Sequence, residues 1–96
     1  MTYEIIFAEE ALEAYHALSA YRRAVVREMI DVCLKHEPTR VSKSRIKRLK
    51  GVTRAEYRLR VGSIRVFYLG CGHRVTVLGI MEKRYADDWL KKGEER

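Results

Sequence analysis

Three arginines, Arg58, Arg60 and Arg65, flank a Gly62-Ser63 pair in the stretch Tyr57-Arg58-Leu59-Arg60-Val61-Gly62-Ser63-Ile64-Arg65-Val66-Phe67-Tyr68. Apolar and basic residues alternate there with the period of two of a β-strand, in which every second side chain shares a face. A glycine leading a two-residue loop is the pattern of a II′ hairpin. Folded about that loop, Val61 faces Ile64, Arg60 faces Arg65, Leu59 faces Val66, Arg58 faces Phe67 and Tyr57 faces Tyr68. One face is then apolar and belongs to the core, and the other carries the three arginines. Guanidinium groups bind phosphate bidentately and stay charged at any cellular pH. Arg60 opposite Arg65 is a like-charge cross-strand pair that disfavours the sheet by up to roughly 1 kcal/mol, and only Glu56 lies near in sequence to offset it. Such a cluster fits an anionic partner. The alternative is that these arginines simply face solvent, or pair with helix acids such as Asp87 and Asp88.

The charge of the chain is concentrated around the same residues. Net charge is +7 over 96 residues, but residues 40–65 hold ten bases against the one acid Glu56, so that window carries +9 and the remainder 7 − 9 = −2. A polyanion is the partner such asymmetry implies, and Lys43, Arg45, Lys47, Arg48, Lys50, Arg54, Arg74 and Lys83 are expected to extend the contact.

The elements that must present this face follow from periodicity. Thr2–Phe7 reads as an opening strand. Ala8, Ala11, Leu12, Tyr15 and Leu18 recur at helical spacing, with Glu9 and Glu10 in the first turn, where the helix dipole favours acids. Ser19 can cap a second helix with the stripe Val25 or Val26, Met29, Ile30, Cys33 and Leu34, ended by Pro38. After the first hairpin, a turn in Gly70-Cys71-Gly72-His73, paired about Cys71-Gly72, leads to a strand over Arg74–Met81. That pairing adds Arg74, Thr76 and Leu78 to the arginine face and Val75 and Val77 to the core. Asp87–Lys92 reads as a short terminal helix, with Trp89 anchoring it. The expected fold class is α+β: a β-α-α-β-β-β-α order in which an N-terminal strand and helical hairpin precede an antiparallel β-meander and a short C-terminal helix, all in a single domain over residues 1–96.

Composition excludes several classes. The apolar fraction of 47% and a single proline argue for a folded chain. No apolar run reaches the roughly 20 residues of a membrane span, and Met1-Thr2-Tyr3-Glu4 has no leader pattern, so a cytoplasmic location without membrane association is expected. Cys33 and Cys71 lack disulfide or metal spacing, and His16, His36 and His73 form no ligand set, so neither metal nor cofactor is expected.

Leu49-Lys50-Gly51, the Glu56–Tyr68 hairpin and Arg74-Val75-Thr76-Val77-Leu78-Gly79-Ile80, in this order and spacing, resemble the signature of the RelE/ParE toxins, and the likeness covers nearly the whole chain. The resemblance implies a type II toxin, neutralised by a cognate antitoxin. In the RelE-like branch, which the chain resembles more, it implies an endoribonuclease (an mRNA interferase) that cleaves mRNA on the ribosome and so inhibits translation. The ribose 2′-hydroxyl attacks the adjacent phosphate, leaving a 2′,3′-cyclic phosphate. The ParE-like alternative inhibits DNA gyrase without cleaving RNA; a third reading is an RNA-binding homologue with weak or lost catalysis. Carried over by position, Arg58 and Arg60 match the basic pair of the first hairpin strand. Arg65 matches the arginine on the scissile phosphate, and Arg84 or Lys83 the basic residue after the last strand. The family's tail tyrosine is missing: Trp89 or Leu90 stands there, leaving Tyr85 or Glu82 as substitutes in acid–base work. Arginine itself moves protons poorly, its pKa being above ~12.

Overall fold

The computed structural model describes residues 2–51 and 53–92. Its elements are β1 (Glu4–Phe7), α1 (Glu9–Ala17), α2 (Ala20–Cys33), β2 (Ile46–Arg48), β3 (Tyr57–Val61), β4 (Ile64–Cys71), β5 (Arg74–Glu82) and α3 (Lys83–Lys92). The strands form one five-stranded sheet in the order β1-β5-β4-β3-β2. Ser19 caps α2 as expected, its Oγ accepting the Arg22 amide at 3.3 Å. At the start of α1, Ala8 offers no side-chain cap, and Glu9 and Glu10 face the positive end of the helix instead.

The two faces of the sheet bury different things. Ala11, Val26, Ile30 and Leu34 of the helical hairpin pack on Leu59, Val61, Ile64, Val66, Tyr68, Val75 and Val77. Tyr57 and Tyr68 stack there with centroids 5.5 Å apart, and the Tyr68 hydroxyl donates to the Pro38 carbonyl at 2.5 Å, fastening the chain that leaves α2. On the reverse face, α3 lays Ala86 and Trp89 over Phe67 and Ala55, with the Phe67 and Trp89 rings stacked at 5.0 Å and 12°.

The first hairpin has the register expected of it, from Tyr57–Tyr68 to Val61–Ile64, and Gly62 supplies the positive φ (58°) that a II′ turn requires first. Four features differ from the sequence expectation. The sheet is mixed, because β1 runs parallel to β5 (Glu4 beside Arg74, Phe7 beside Val77); alternation marks a strand but carries no direction. A three-residue strand, β2, lies in the basic segment, held by Ile46 in the core opposite Leu59; it is too short to show a period. The second reversal is at Gly72-His73, since Cys71 pairs with Arg74 and Gly72 holds φ 59°. Finally, α3 begins at Lys83, four residues before the expected Asp87.

A bulge between β4 and β5 has the largest consequence. Tyr68 pairs with Val77 but Phe67 with Gly79, leaving Leu78 as the extra residue. Beyond it the alternation is inverted: Ile80 turns into the core opposite Val66, and Met81 turns to the reverse face opposite Arg65. Without the extra residue Ile80 would be on the arginine face.

Candidate nucleic-acid interface

Arg58, Arg60 and Arg65 share the reverse face of β3 and β4. Their surroundings differ sharply. Arg65 is the floor of the cluster, only 6% exposed, and its Nη1 donates to the carbonyls of Gly62 (2.7 Å) and Ile64 (3.0 Å), so the tight turn itself orients the guanidinium. Arg58 is half-buried, and its Nε is buried without a hydrogen-bond partner among the described residues. Arg60 lies exposed across from Arg65.

None of the three forms an ion pair with an acid among the described residues, Asp87 and Asp88 included, and three other acids are engaged elsewhere. Glu56 accepts the Gly70 amide, Glu10 binds Arg54 and the Trp89 indole, and Glu82 pairs with Arg22 and Arg84. Burial, and then the Arg60 charge, lowers the Arg58 guanidinium from its ordinary pKa. Burial, then Arg58 and Arg60, does the same to Arg65. Each of the two groups thus also feels the charge of at least one other arginine of the cluster. Unneutralised, partly desolvated guanidiniums on one face suit an anion chemically, because a phosphate would both supply the missing acceptors and relieve the repulsion.

The sheet gathers some of the other expected residues and disperses the rest. Lys47 pairs directly with Arg58 and so joins the edge of the cluster, whereas Arg45, whose carbonyl accepts the Arg60 amide at 2.8 Å, lines a cavity with Cys33, His36 and Glu37 at the end of α2. Arg48 pairs with Tyr57 and therefore stands on the opposite side of β2. Lys43 and Lys50 are exposed in the segments flanking β2. Arg54 is structural: its guanidinium lies 4.1 Å over the Trp89 ring and bonds Glu10 and the Trp89 carbonyl. Arg74 pairs with Glu4 at the far end of β5, seven residues from Met81 and so about 23 Å along the strand from the Arg65 position.

At the near end, the Lys83 amide donates to the Ser63 carbonyl at 2.8 Å, docking the start of α3 on the hairpin turn. Arg84 is engaged with Glu82 (3.2 Å) and lies over the exposed Tyr85 ring. Glu82 sits opposite Ile64 and also holds Arg22, so this pairing is on the rim nearer the helical hairpin rather than across the arginine face. A groove of about 390 Å³, lined by Met81, Tyr85, Asp88, Trp89, Lys91 and Lys92, borders the cluster through Met81. Sequence reasoning missed the Glu10–Trp89–Arg54 knot; its partners are 44 and 79 residues apart and carry no local signal. Among the described residues, no group of three or more His, Cys, Asp or Glu could hold a metal ion, and no helix is long and apolar enough to cross a membrane.

The fold and this face together define a small α+β protein that presents a cation cluster from a hairpin. No family model and no curated protein matches the chain by sequence. Solved structures do match it. The toxin–antitoxin complex RelBE2 of Mycobacterium tuberculosis has a chain 25% identical, with a TM-score of 0.71 over 85% of this chain and 99% of that one. The archaeal RelE–RelB complex of Pyrococcus horikoshii OT3 follows at 24% identity and a TM-score of 0.69, over 86% and 97%. The RelB–RelE complex of Methanococcus jannaschii aligns at 20% and 0.67, over 88% and 96%. By fold this chain is RelE-like.

Proposed function

We propose that the protein is the toxin of a type II toxin–antitoxin system, a ribosome-dependent endoribonuclease whose Arg58, Arg60 and Arg65 hold the scissile phosphate of mRNA. The observation that carries this reading is the unneutralised cluster: a nearly buried Arg65 fixed by its own turn, beside an Arg58 whose Nε has no partner among the described residues. The matching complexes pair a RelE chain with RelB, which supports a cognate antitoxin as partner here.

In the reaction, the 2′-oxygen attacks the adjacent phosphorus, the bond to the 5′-oxygen breaks, and a 2′,3′-cyclic phosphate and a 5′-hydroxyl result. Three cations around the pentacovalent phosphorane stabilise charge where it develops, without reorganising at the moment of reaction. Proton transfer needs another group. Tyr85 and Glu82 are the nearest candidates in sequence, and Glu82 is held ionised by the Arg22 hydrogen bond first and then by Arg84, which makes it a poor proton donor at neutral pH. Tyr85 stands exposed at the mouth of the groove beside Met81.

The test is induced expression of wild type beside Arg65→Ala, reading growth and the ends of translated mRNA by primer extension. Growth arrest with new mRNA ends in wild type, both lost in the variant, is the expected result. Arrest with intact mRNA and inhibited supercoiling would replace this reading with the gyrase-directed one.

A further inference from the structure

We propose that Arg22 of α2 is a positioning residue for the arginine site: it holds Ser63 at the tip of the hairpin and so fixes the turn whose carbonyls aim Arg65. This role rests on the phosphate-binding reading of Arg65 just given and names what keeps that guanidinium in place. Arg65 Nη1 is held by the Gly62 and Ile64 carbonyls, which flank Ser63 in the chain. Its aim is therefore no steadier than the turn. Gly62 and Ser63 are both exposed at the end of the sheet, and a segment with few buried contacts opens easily. Ser63, however, is bonded by two helices. Its carbonyl accepts the amide of Lys83, the first residue of α3, at 2.8 Å, and its Oγ accepts Arg22 Nη2 at 3.2 Å. The same guanidinium donates through Nη1 to Glu82 Oε1 at 3.0 Å, and Glu82 stands opposite Ile64 in the β4–β5 pairing. One planar fork thus ties the turn to the end of the neighbouring strand.

Both ends of the fork are braced. Arg22 stands in the first turn of α2, where its amide donates to the Ser19 cap at 3.3 Å. Glu82 gives its other oxygen, Oε2, to Arg84 at 3.2 Å. Holding the helix against the sheet explains the fork less well. Val26 and Ile30 already bury α2 in the core, and a pair as exposed as Arg22 and Glu82 (38% and 34%) adds little to stability. Positional precision is what such a fork supplies, and misplacing a group at a reacting centre by about 1 Å can cost a hundredfold in rate.

The experiment compares wild type with Ser63→Ala, which removes the Oγ acceptor without changing charge, and with Arg22→Ala. Arg27→Ala, an exposed position on the same helix, controls for lost charge. Two quantities are read: the NMR order parameter of the Arg65 Nε–H group in the free protein, and the Kd of a labelled 12-nucleotide single-stranded RNA by fluorescence anisotropy. Ser63→Ala and Arg22→Ala are expected to lower the order parameter and to weaken binding by about three- to tenfold, the range that losing one hydrogen bond implies. Arg27→Ala should leave the order parameter at its wild-type value. In an Arg65→Ala background neither change should weaken binding further, because residues that act through one another are not additive. An Arg65 group as ordered in Ser63→Ala and Arg22→Ala as in wild type overturns the proposal, as do equal losses of affinity with Arg65 absent. Should Arg22→Ala fail to fold, Ser63→Ala carries the comparison. The mRNA cleavage assay separates the two claims. Wild type that neither binds nor cleaves RNA removes the nuclease, while a lowered order parameter still supports Arg22 as the residue that aims Arg65; wild type that cleaves, with Arg65 unmoved in both variants, removes the positioning role alone.

Discussion

Arg60→Thr should make the fold more stable and the protein worse at its task. Arg60 is exposed, its side chain makes no hydrogen bond or ion pair among the described residues, and it stands opposite Arg65 on β4. Removing it therefore relieves an opposed like-charge pair and sacrifices no bond. The gain is that of one cross-strand pair, roughly 0.2–1 kcal/mol, and threonine suits a strand position. For a domain of this size, 1 kcal/mol moves the melting temperature by roughly 4–8 °C. Thermal melts in 10 mM and 1 M sodium chloride check the cause. The screening length falls from about 30 Å to about 3 Å between them, so the advantage should shrink in high salt. With RNA present the order should reverse, because a ligand at 100 times its Kd stabilises the form that binds it by about 2.7 kcal/mol. A variant that melts at or below wild type in low salt, or whose advantage ignores salt, would refute the claim that the cluster stores repulsion for an anion to relieve.

Two further outcomes are expected. Gly79→Ala puts a Cβ 2.6 Å from Cε2 and Cζ2 of Trp89, so the ring must leave its stack on Phe67 and its bond to Glu10, at a cost of about 1–3 kcal/mol; since this is the protein's one tryptophan, a red-shifted emission together with a lower melting temperature reports it. Glu82, lowered chiefly by the Arg22 hydrogen bond, contributes stability that is complete above the ordinary glutamate value near 4.3 and is lost as pH falls through its lower folded value. Urea unfolding from pH 7 to pH 3 should therefore show a flatter acid limb for Glu82→Gln than for wild type.

The hairpin was legible in the sequence because its information is local. Alternation from Tyr57 to Tyr68 about a glycine-led turn sets both register and face, and every one of its five pairs follows from that. The helical hairpin was legible for the same reason, from a 3.6-residue period and a serine cap. Tertiary structure decided what local pattern cannot encode. The direction of β1 depends on where the helices return the chain, not on its four residues. The bulge at Leu78 inverts Ile80 and Met81, since it is packing on two different cores that selects which residue goes unpaired. Above all, sequence offered eight further basic residues, beyond the arginines of the hairpin, as one undivided set, and only long-range pairing sorted them. Glu10 takes Arg54 and Glu4 takes Arg74, whereas the sheet brings Lys47 beside Arg58, and no acid among the described residues pairs with Arg58, Arg60 or Arg65.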